Sequence, residues 1–217
     1  NGASNAQFLV TVGTAPTGGS PILGLTISSA TDYTERLDNS RNYSLVESFD
    51  ATGTTPFRIT TPNGETTMPL QPSVFAKRSS SMVNATGDGT VVDVLFDVED
   101  KDQNGDYNNA TGVFTAPVTG VYIFAIGVGF GTLTSGHTQA TISLVTTTKT
   151  YMVAKFNPYT TSAGTGSYCK TGNYVCEIPM AAGDTAKVQA AVSGSTKTAY
   201  IFSDPQLWTS FGVLLAH

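Results

Sequence analysis

Charge is scarce in this chain. Only 12% of its 217 residues are Asp, Glu, Lys or Arg, about half the usual share. The net charge is −5, and the longest basic run is Lys77-Arg78. That argues against nucleic acid as the main partner, because phosphate recognition needs clustered Lys and Arg. Long apolar runs are missing as well: no window approaches the roughly 18 consecutive apolar residues of a membrane span. Histidine is limited to His137 and His217, and cysteine to Cys169 and Cys176. Two of each at those spacings make neither a zinc-ligand pattern nor a disulfide framework. A Ser-His-Asp constellation needs a positioned His and an orienting acid. His137 follows a Thr134-Ser135-Gly136 turn and His217 is the last residue, so neither is expected to be catalytic. Gly127-Val128-Gly129-Phe130-Gly131 lacks the Lys and the following helix of a phosphate loop. Asn1 is not an initiator Met and no secretory signal stands before it, which suggests a processed form or an expressed fragment.

Threonine is abundant, with 34 residues, alongside Gly 22 and Pro 10. Thr is β-branched and favours strands, while Gly and Pro supply turns. Hydrophobic residues make up 40%, as in a globular chain, and the length supports a core without metal or disulfide. The composition therefore predicts an all-β protein with a surface rich in hydroxyls and amides.

Residues 1–70 carry short apolar runs, Phe8-Leu9-Val10, Ile22-Leu23-Gly24-Leu25, Ser44-Leu45-Val46 and Phe57-Arg58-Ile59, separated by Gly-, Pro- and Thr-rich segments. They read as a small β-rich module or an extended stalk. The prolines of Thr66-Thr67-Met68-Pro69-Leu70-Gln71-Pro72 favour an extended junction, so the expected domains are 1–72 and 73–217. Beyond Ser73, Val91 to Val98 alternates, with Val92, Val94, Phe96 and Val98 on one face and Asp93 and Asp97 on the other. Val121 to Phe130 is apolar on both faces, which predicts cover on both sides. Its small face, Ala125, Gly127 and Gly129, would let another backbone approach. Further strands are expected at 73–82, 140–147, 151–156, 174–178, 186–192, 198–202 and 210–215, about nine in all, as in a sandwich. No helical stretch and no fixed-period repeat is evident.

The segment Asn104-Gly105-Asp106-Tyr107-Asn108-Asn109-Ala110-Thr111-Gly112-Val113-Phe114-Thr115-Ala116-Pro117-Val118-Thr119-Gly120-Val121-Tyr122-Ile123-Phe124 resembles the signature of the globular heads of the complement C1q and tumour necrosis factor superfamily. Met180-Ala181-Ala182-Gly183-Asp184-Thr185-Ala186-Lys187-Val188 resembles the family's later turn and strand, and Phe211-Gly212-Val213-Leu214-Leu215 its closing strand. The resemblance covers about residues 73–217. It implies a ten-stranded jelly-roll β-sandwich and a homotrimer. The segment Gly136-His137-Thr138-Gln139-Ala140-Thr141-Ile142-Ser143-Leu144-Val145-Thr146-Thr147 looks more like heads on bacteriophage fibres and spikes than like animal secreted members, and no collagen repeat is present.

Four sites merit attention. Asp100, Asp102, Asn104 and Asp106, with Gly105, resemble the first half of a calcium loop, with oxygen ligands at positions 1, 3 and 5 and Gly at 6. Position 12 is Thr111 rather than the bidentate Glu, so the other reading is an exposed acidic turn. A Gly172-Asn173 turn would place Cys169 opposite Cys176, which allows a cross-strand disulfide; two small buried thiols are the alternative, and no neighbour activates either. Trp208, which follows a turn-like stretch, and Tyr159, with Tyr168 and Tyr174, are candidates for an aromatic sugar-binding face, against ordinary core packing. Asn42, Asn84 and Asn109 head glycosylation sequons.

These readings converge on a non-enzymatic viral structural protein: the trimeric head of a bacteriophage fibre or spike, located on the virion. It would bind a host cell-surface receptor, a glycan or a protein, by multivalent attachment through loops after residues 99, 131, 157 and 203. Residues 1–72 would join it to other virion proteins. The alternatives are a secreted complement-type lectin or cytokine-like protein, and a capsid decoration protein without a receptor. No cofactor is expected, calcium aside. A glycan hydrolase would need two carboxylates about 5–10 Å apart in a cleft, and no motif supplies them.

Overall fold

The computed structural model describes residues 22–25, 33–37, 43–46, 57–60, 65–68, 70–160, 168–170, 174–203 and 209–216, with backbone alone before Met68 and at 168–170. The chain divides into two units, Asn1–Gln71 and Pro72–His217. In the first, β1 (Ile22–Leu25), β2 (Tyr33–Leu37), β3 (Tyr43–Val46), β4 (Phe57–Thr60) and β5 (Glu65–Thr67) follow one another in an antiparallel meander. Apolar and β-branched runs separated by turn-forming residues produce this local pairing. The run at 8–10 lies outside the described residues.

The second unit is a jelly roll. Its strands are β6 (Ser73–Lys77), β7 (Met82–Thr86), β8 (Val92–Asp93), β9 (Val98–Asp102), β10 (Tyr107–Asn108), β11 (Val113–Thr115), β12 (Gly120–Gly127), β13 (Gly129–Gly131), β14 (Gln139–Thr146), β15 (Thr150–Phe156), β16 (Tyr168–Lys170), β17 (Tyr174–Met180), β18 (Thr185–Ser193), β19 (Ala199–Phe202) and β20 (Ser210–Leu215). One layer has the order β17-β12-β20-β6-β9. The other runs β10-β11-β18-β14-β15, with β8 also on β18. A smaller sheet, β16-β13-β19-β7, lies beyond β12 in the chain direction. No helix occurs among the described residues.

Three expected strands are subdivided. Residues 73–82 form β6 and the start of β7, and 121–130 breaks at Val128 between β12 and β13. Residues 91–98 alternate as expected, with Val94 and Phe96 buried, but 94–97 join no ladder. The segment leaves β18 after β8 and reaches β6 as β9. It crosses from one layer to the other, so its apolar side chains fill the gap at the sandwich edge.

Alternation drives the core. Tyr122, Phe124 and Ile126 of β12 and Phe211 and Val213 of β20 point inward, against Ile142 and Leu144 of β14 and Val188 of β18, all buried. The ring of Phe211 lies 5.4 Å from Phe96, 5.5 Å from Tyr107 and 6.0 Å from Phe124. Phe114 meets Tyr122 at 5.4 Å, edge to face, a favoured aromatic geometry. Buried hydroxyls keep partners: Tyr107 Oη donates to Phe96 O at 3.1 Å and Tyr122 Oη to Val118 O at 2.7 Å. The family-like signature is thus largely a packing code. Its turn follows the same logic: Asn108 Oδ1 accepts from the Ala110 and Thr111 amides, and Gly112 adopts φ +72°, a conformation that favours glycine.

The register defines two ends. The chain arrives at Pro72, whose carbonyl accepts from Leu215 N; the turns at 115–120, 146–150 and 181–185 share this stem end through the Ala116–Gly183 and Thr147–Thr185 hydrogen bonds. The segments at 78–81, 86–90, 131–138 and 193–198 lie at the far end, as do residues 157–160 and 203.

Candidate functional site

The two layers differ in what they present outward. On β12, the residues between the buried ones are Val121, Ile123 and Ala125; register pairs Ile123 with Leu214 and Ala125 with Gly212 on β20, and Gly212 with Phe75 on β6. On the other side, Val121 pairs with Pro179 and Ala125 with Val175 of β17. All share the outer face. Leu214 is 51% exposed and Val175 66%. A cavity of about 260 Å³ opens on this face over β12, β20 and β6, lined by Ser73, Val74, Phe75, Ile123, Ala125, Gly212, Val213 and Leu214. At Gly212 an added Cβ would sit 3.6 Å from Ala125 Cβ, ordinary contact, so the packing of the unit itself does not demand glycine there. The missing side chain instead leaves the cavity open. Charge lies toward the edges of the sheet, with Glu177 of β17 exposed opposite Ile123, Lys101 of β9 opposite Phe75 and Lys77 Nζ paired with Asp100 at 2.6 Å.

The outer face of the other layer is mainly polar. Across β14 and β18 it pairs Gln139 with Ser193, Thr141 with Ala191, Ser143 with Gln189 and Val145 with Lys187, and on β15 it exposes Lys155 opposite Thr141 and Met152 opposite Ser143. Asp93 accepts from Lys187 and Gln189 at 2.8 Å each. Water satisfies such a face, whereas contiguous exposed apolar surface marks an interaction site.

The four oxygen donors at 100–106 are engaged separately. Asp100 belongs to the Lys77 ion pair. The Asp102 carboxylate accepts from the amides of Gly105, Asp106 and Tyr107 at 3.0, 3.1 and 3.0 Å, which shapes the turn, while Asn104 hydrogen-bonds Asp106. Among the described residues no group of three His, Cys, Asp or Glu is gathered for a metal. In this arrangement the run 100–106 forms an acidic turn capped by its own amides. A site filled at 100 times its Kd would contribute about 2.7 kcal/mol, several degrees of melting temperature. We expect EDTA to leave the melting temperature unchanged; a fall of several degrees would restore the loop as a metal site.

Asp106 is held above the usual carboxylate range by burial and by the charge of Asp102, and its Oδ2 is buried without a hydrogen-bond partner. A raised folded-state pKa means that this group favours folding below its unfolded pKa and loses that contribution as pH rises through the folded value. Asp106→Asn is therefore expected to raise the melting temperature at neutral pH, with the gain vanishing near pH 3, about a unit below the ordinary Asp value. A pH-independent effect would rule out this origin. Asp106 also lines an open depression of about 620 Å³ with Asn108, Asn109 and Thr115, and is its sole carboxylate.

The remaining candidates are dispersed. Tyr159 is half-buried against the core, its amide bonded to Asn157 Oδ1 at 3.1 Å; Tyr174 also packs there. Trp208, His217 and the Tyr168 side chain lie outside the described residues. Register pairs Cys169 with Phe130 of β13 and Cys176 with Phe124 of β12. Cys176 is a free thiol that burial pushes up from its ordinary pKa, away from reactivity; the Cys169 side chain and the 171–173 turn lie outside the described residues. His137, expected at a turn, is fully buried.

Among solved structures, the chain is similar to the globular domain of zebrafish complement 1qA protein, at 18% identity and a TM-score of 0.46 over 67% of this chain and 98% of that one. It is similar to murine APRIL at pH 8.5, at 10% identity and a TM-score of 0.38 over 67% and 99%. It is also similar to Eiger TNF from S. frugiperda, at 13% identity and a TM-score of 0.43 over 68% and 93%. No curated protein matches. The sequence profile of the C1q domain spans residues 74–203, more than half of the chain and most of the jelly roll just described, and the chain belongs to the C1q domain family.

Proposed function

We propose that residues 73–217 form a homotrimeric, non-catalytic recognition head and that residues 1–72 attach it to other structural proteins. The observation that carries this reading is the inequality of the two outer faces. One has an apolar centre notched at Gly212, with charge toward its edges; the other is mainly polar, with Met152 exposed on its edge strand. C1q and TNF-like domains are binding or structural modules that form trimers, and the apolar face is the surface that burial between copies would use. Recognition falls to the far end. Three of the four loops expected to carry specificity, after 131, 157 and 203, begin there, whereas the one after 99 returns to the stem. Three linked copies raise avidity for a repeated ligand without any single strong site.

The setting proposed is the surface of a bacteriophage virion, with a host glycan or protein as receptor. Its support is the hydroxyl-rich, charge-poor composition and the fibre-like segment 136–147. A secreted lectin or cytokine-like protein is the second reading, favoured by family membership, since C1q-like domains are commonly extracellular. Light scattering tests the assembly: a mass near three times 22.6 kDa is expected, and a stable monomer would overturn the trimeric head. Retention on intact bacteria is then expected of a virion head. Retention on animal-cell glycans instead would transfer the assignment to the second reading.

A further inference from the structure

We propose that His137 is a proton-sensitive latch that holds three far-end segments, 86–90, 131–138 and 193–198, in one arrangement at neutral pH and releases them in acid. Its ring is fully buried. The Thr134 amide donates to Nδ1 at 2.9 Å. An amide N–H only donates, so Nδ1 is bare. Nε2 lies 3.2 Å from Thr196 O; a carbonyl only accepts, so Nε2 carries the hydrogen. One neutral tautomer satisfies both contacts. The ring thereby joins its own loop to the segment around Thr196.

The same three segments are tied to one another around it. Ser195 N donates to Gly87 O at 3.0 Å and Thr138 N to Ser193 O at 3.1 Å. There is no slack. A Cβ on Gly87 would sit 2.0 Å from Thr196 O and 2.9 Å from His137 Nε2, and one on Gly194 would sit 2.4 Å from Gly136 O. A proton added at Nδ1 would set two N–H groups against each other, with only the Thr134 hydroxyl, 3.1 Å away, able to accept from it, and would place a charge in a fully buried site. The charged groups on the surrounding segments are Asp88 and Lys197, both exposed. Asp88 is engaged by Thr90 and lies in the field of Lys197. Among the described residues no carboxylate hydrogen-bonds the ring, so nothing there offsets its charge. The ring must leave its site, and the segments part with it. For a head that recognises its ligand through this end, the reading proposed above, acid would dismantle the binding surface.

Amide hydrogen exchange on the full chain tests the latch, compared at about pH 7.5 and pH 5, the range in which histidine changes charge, after correction for intrinsic rates. Protection at Gly87, Thr134, Thr138 and Ser195 is expected to fall about tenfold or more in acid, while β12 and β20 keep theirs. In His137→Asn, which retains an acceptor for the Thr134 amide but cannot titrate, protection should not change with pH. Should that variant not fold, NMR of the wild-type ring decides: the Nε2–H tautomer at neutral pH, and a charged ring appearing in step with loop opening. Unchanged protection, an equal fall in His137→Asn, or a charged ring beneath protected loops would each overturn the latch. The exchange measurement reads the loops directly, so its outcome does not depend on whether the head trimerises or binds cells.

Discussion

Leu214→Asp is expected to give a folded monomer in place of the proposed trimer. Leu214 is half exposed in a single chain, so the fold of one protomer does not rely on it. Its inward neighbours Val213 and Phe211 are buried and unchanged. In an assembled head the same side chain would stand at the rim of the Gly212 cavity, among Phe75, Ile123 and Ala125. Burying the exposed half of a leucine contributes about 1 kcal/mol, and a desolvated, unpaired carboxylate in its place costs at least about 1–3 kcal/mol more. Cyclic symmetry repeats the change at three interfaces, so the loss is about 6 kcal/mol or more, over four orders of magnitude in the trimerisation constant. Light scattering at micromolar concentration should return 22.6 kDa, with an unaltered circular dichroism spectrum. Ser143→Asp, on the mainly polar layer, should leave the trimer intact. A Leu214→Asp protein that still sediments as a trimer would remove the apolar face from the assembly.

Much of this architecture was legible in the sequence because it rests on local period and on steric demands that few residues meet. Alternation identifies β12, β14, β18 and β20 directly: each has one face in the core, and a one-residue slip would expose it. The signature at 104–124 is legible for a related reason. Tyr107, Phe114, Tyr122 and Phe124 all enter one aromatic cluster, so their types and spacing are constrained together. What escaped depends on contacts remote in sequence. The breaks at 78–81 and at Val128 and the crossing at 94–97 follow from which layer each segment must reach, information that a strand pattern does not hold.

The candidate sites were less legible than the fold. The acidic run 100–106 has the spacing of a ligand set, yet Lys77, 23 positions away from Asp100, takes one carboxylate. Backbone amides of the turn take another. Spacing reports which oxygens are near one another in the chain, not which donors already occupy them. The interaction face was half visible: the doubly apolar strand marked β12, but Phe75, Leu214 and Val175 join it only through register. His137 gave no signal beyond its turn, because its partner Thr196 is 59 positions away, and the glycines that close around it, Gly87 and Gly194, read as ordinary turn residues.

Phe211→Ala is expected to be the most destabilising of these substitutions. The side chain is 1% exposed and stands against Phe96, Tyr107 and Phe124, so its loss leaves a cavity walled by rings that are fixed in their own strands. Phe→Ala in a core costs about 3–5 kcal/mol, because removal of the ring forfeits burial while the surroundings close only partly. For a unit of this size each kcal/mol is about 2–4 °C of melting temperature, so a fall of about 10 °C is expected. Phe211→Leu refills much of the volume and should recover more than half of it. Assembly would mask the effect, since association stabilises the folded state by mass action. The comparison therefore belongs in the Leu214→Asp background, monomer against monomer. Phe211 and Leu214 are three positions apart on one strand and face opposite sides of it, so the two substitutions should separate cleanly: one lowers the stability of the protomer, the other abolishes its assembly. A Phe211→Ala monomer that melts within about 2 °C of its parent, less than 1 kcal/mol by the same scale, would mean that the aromatic cluster does not carry the core.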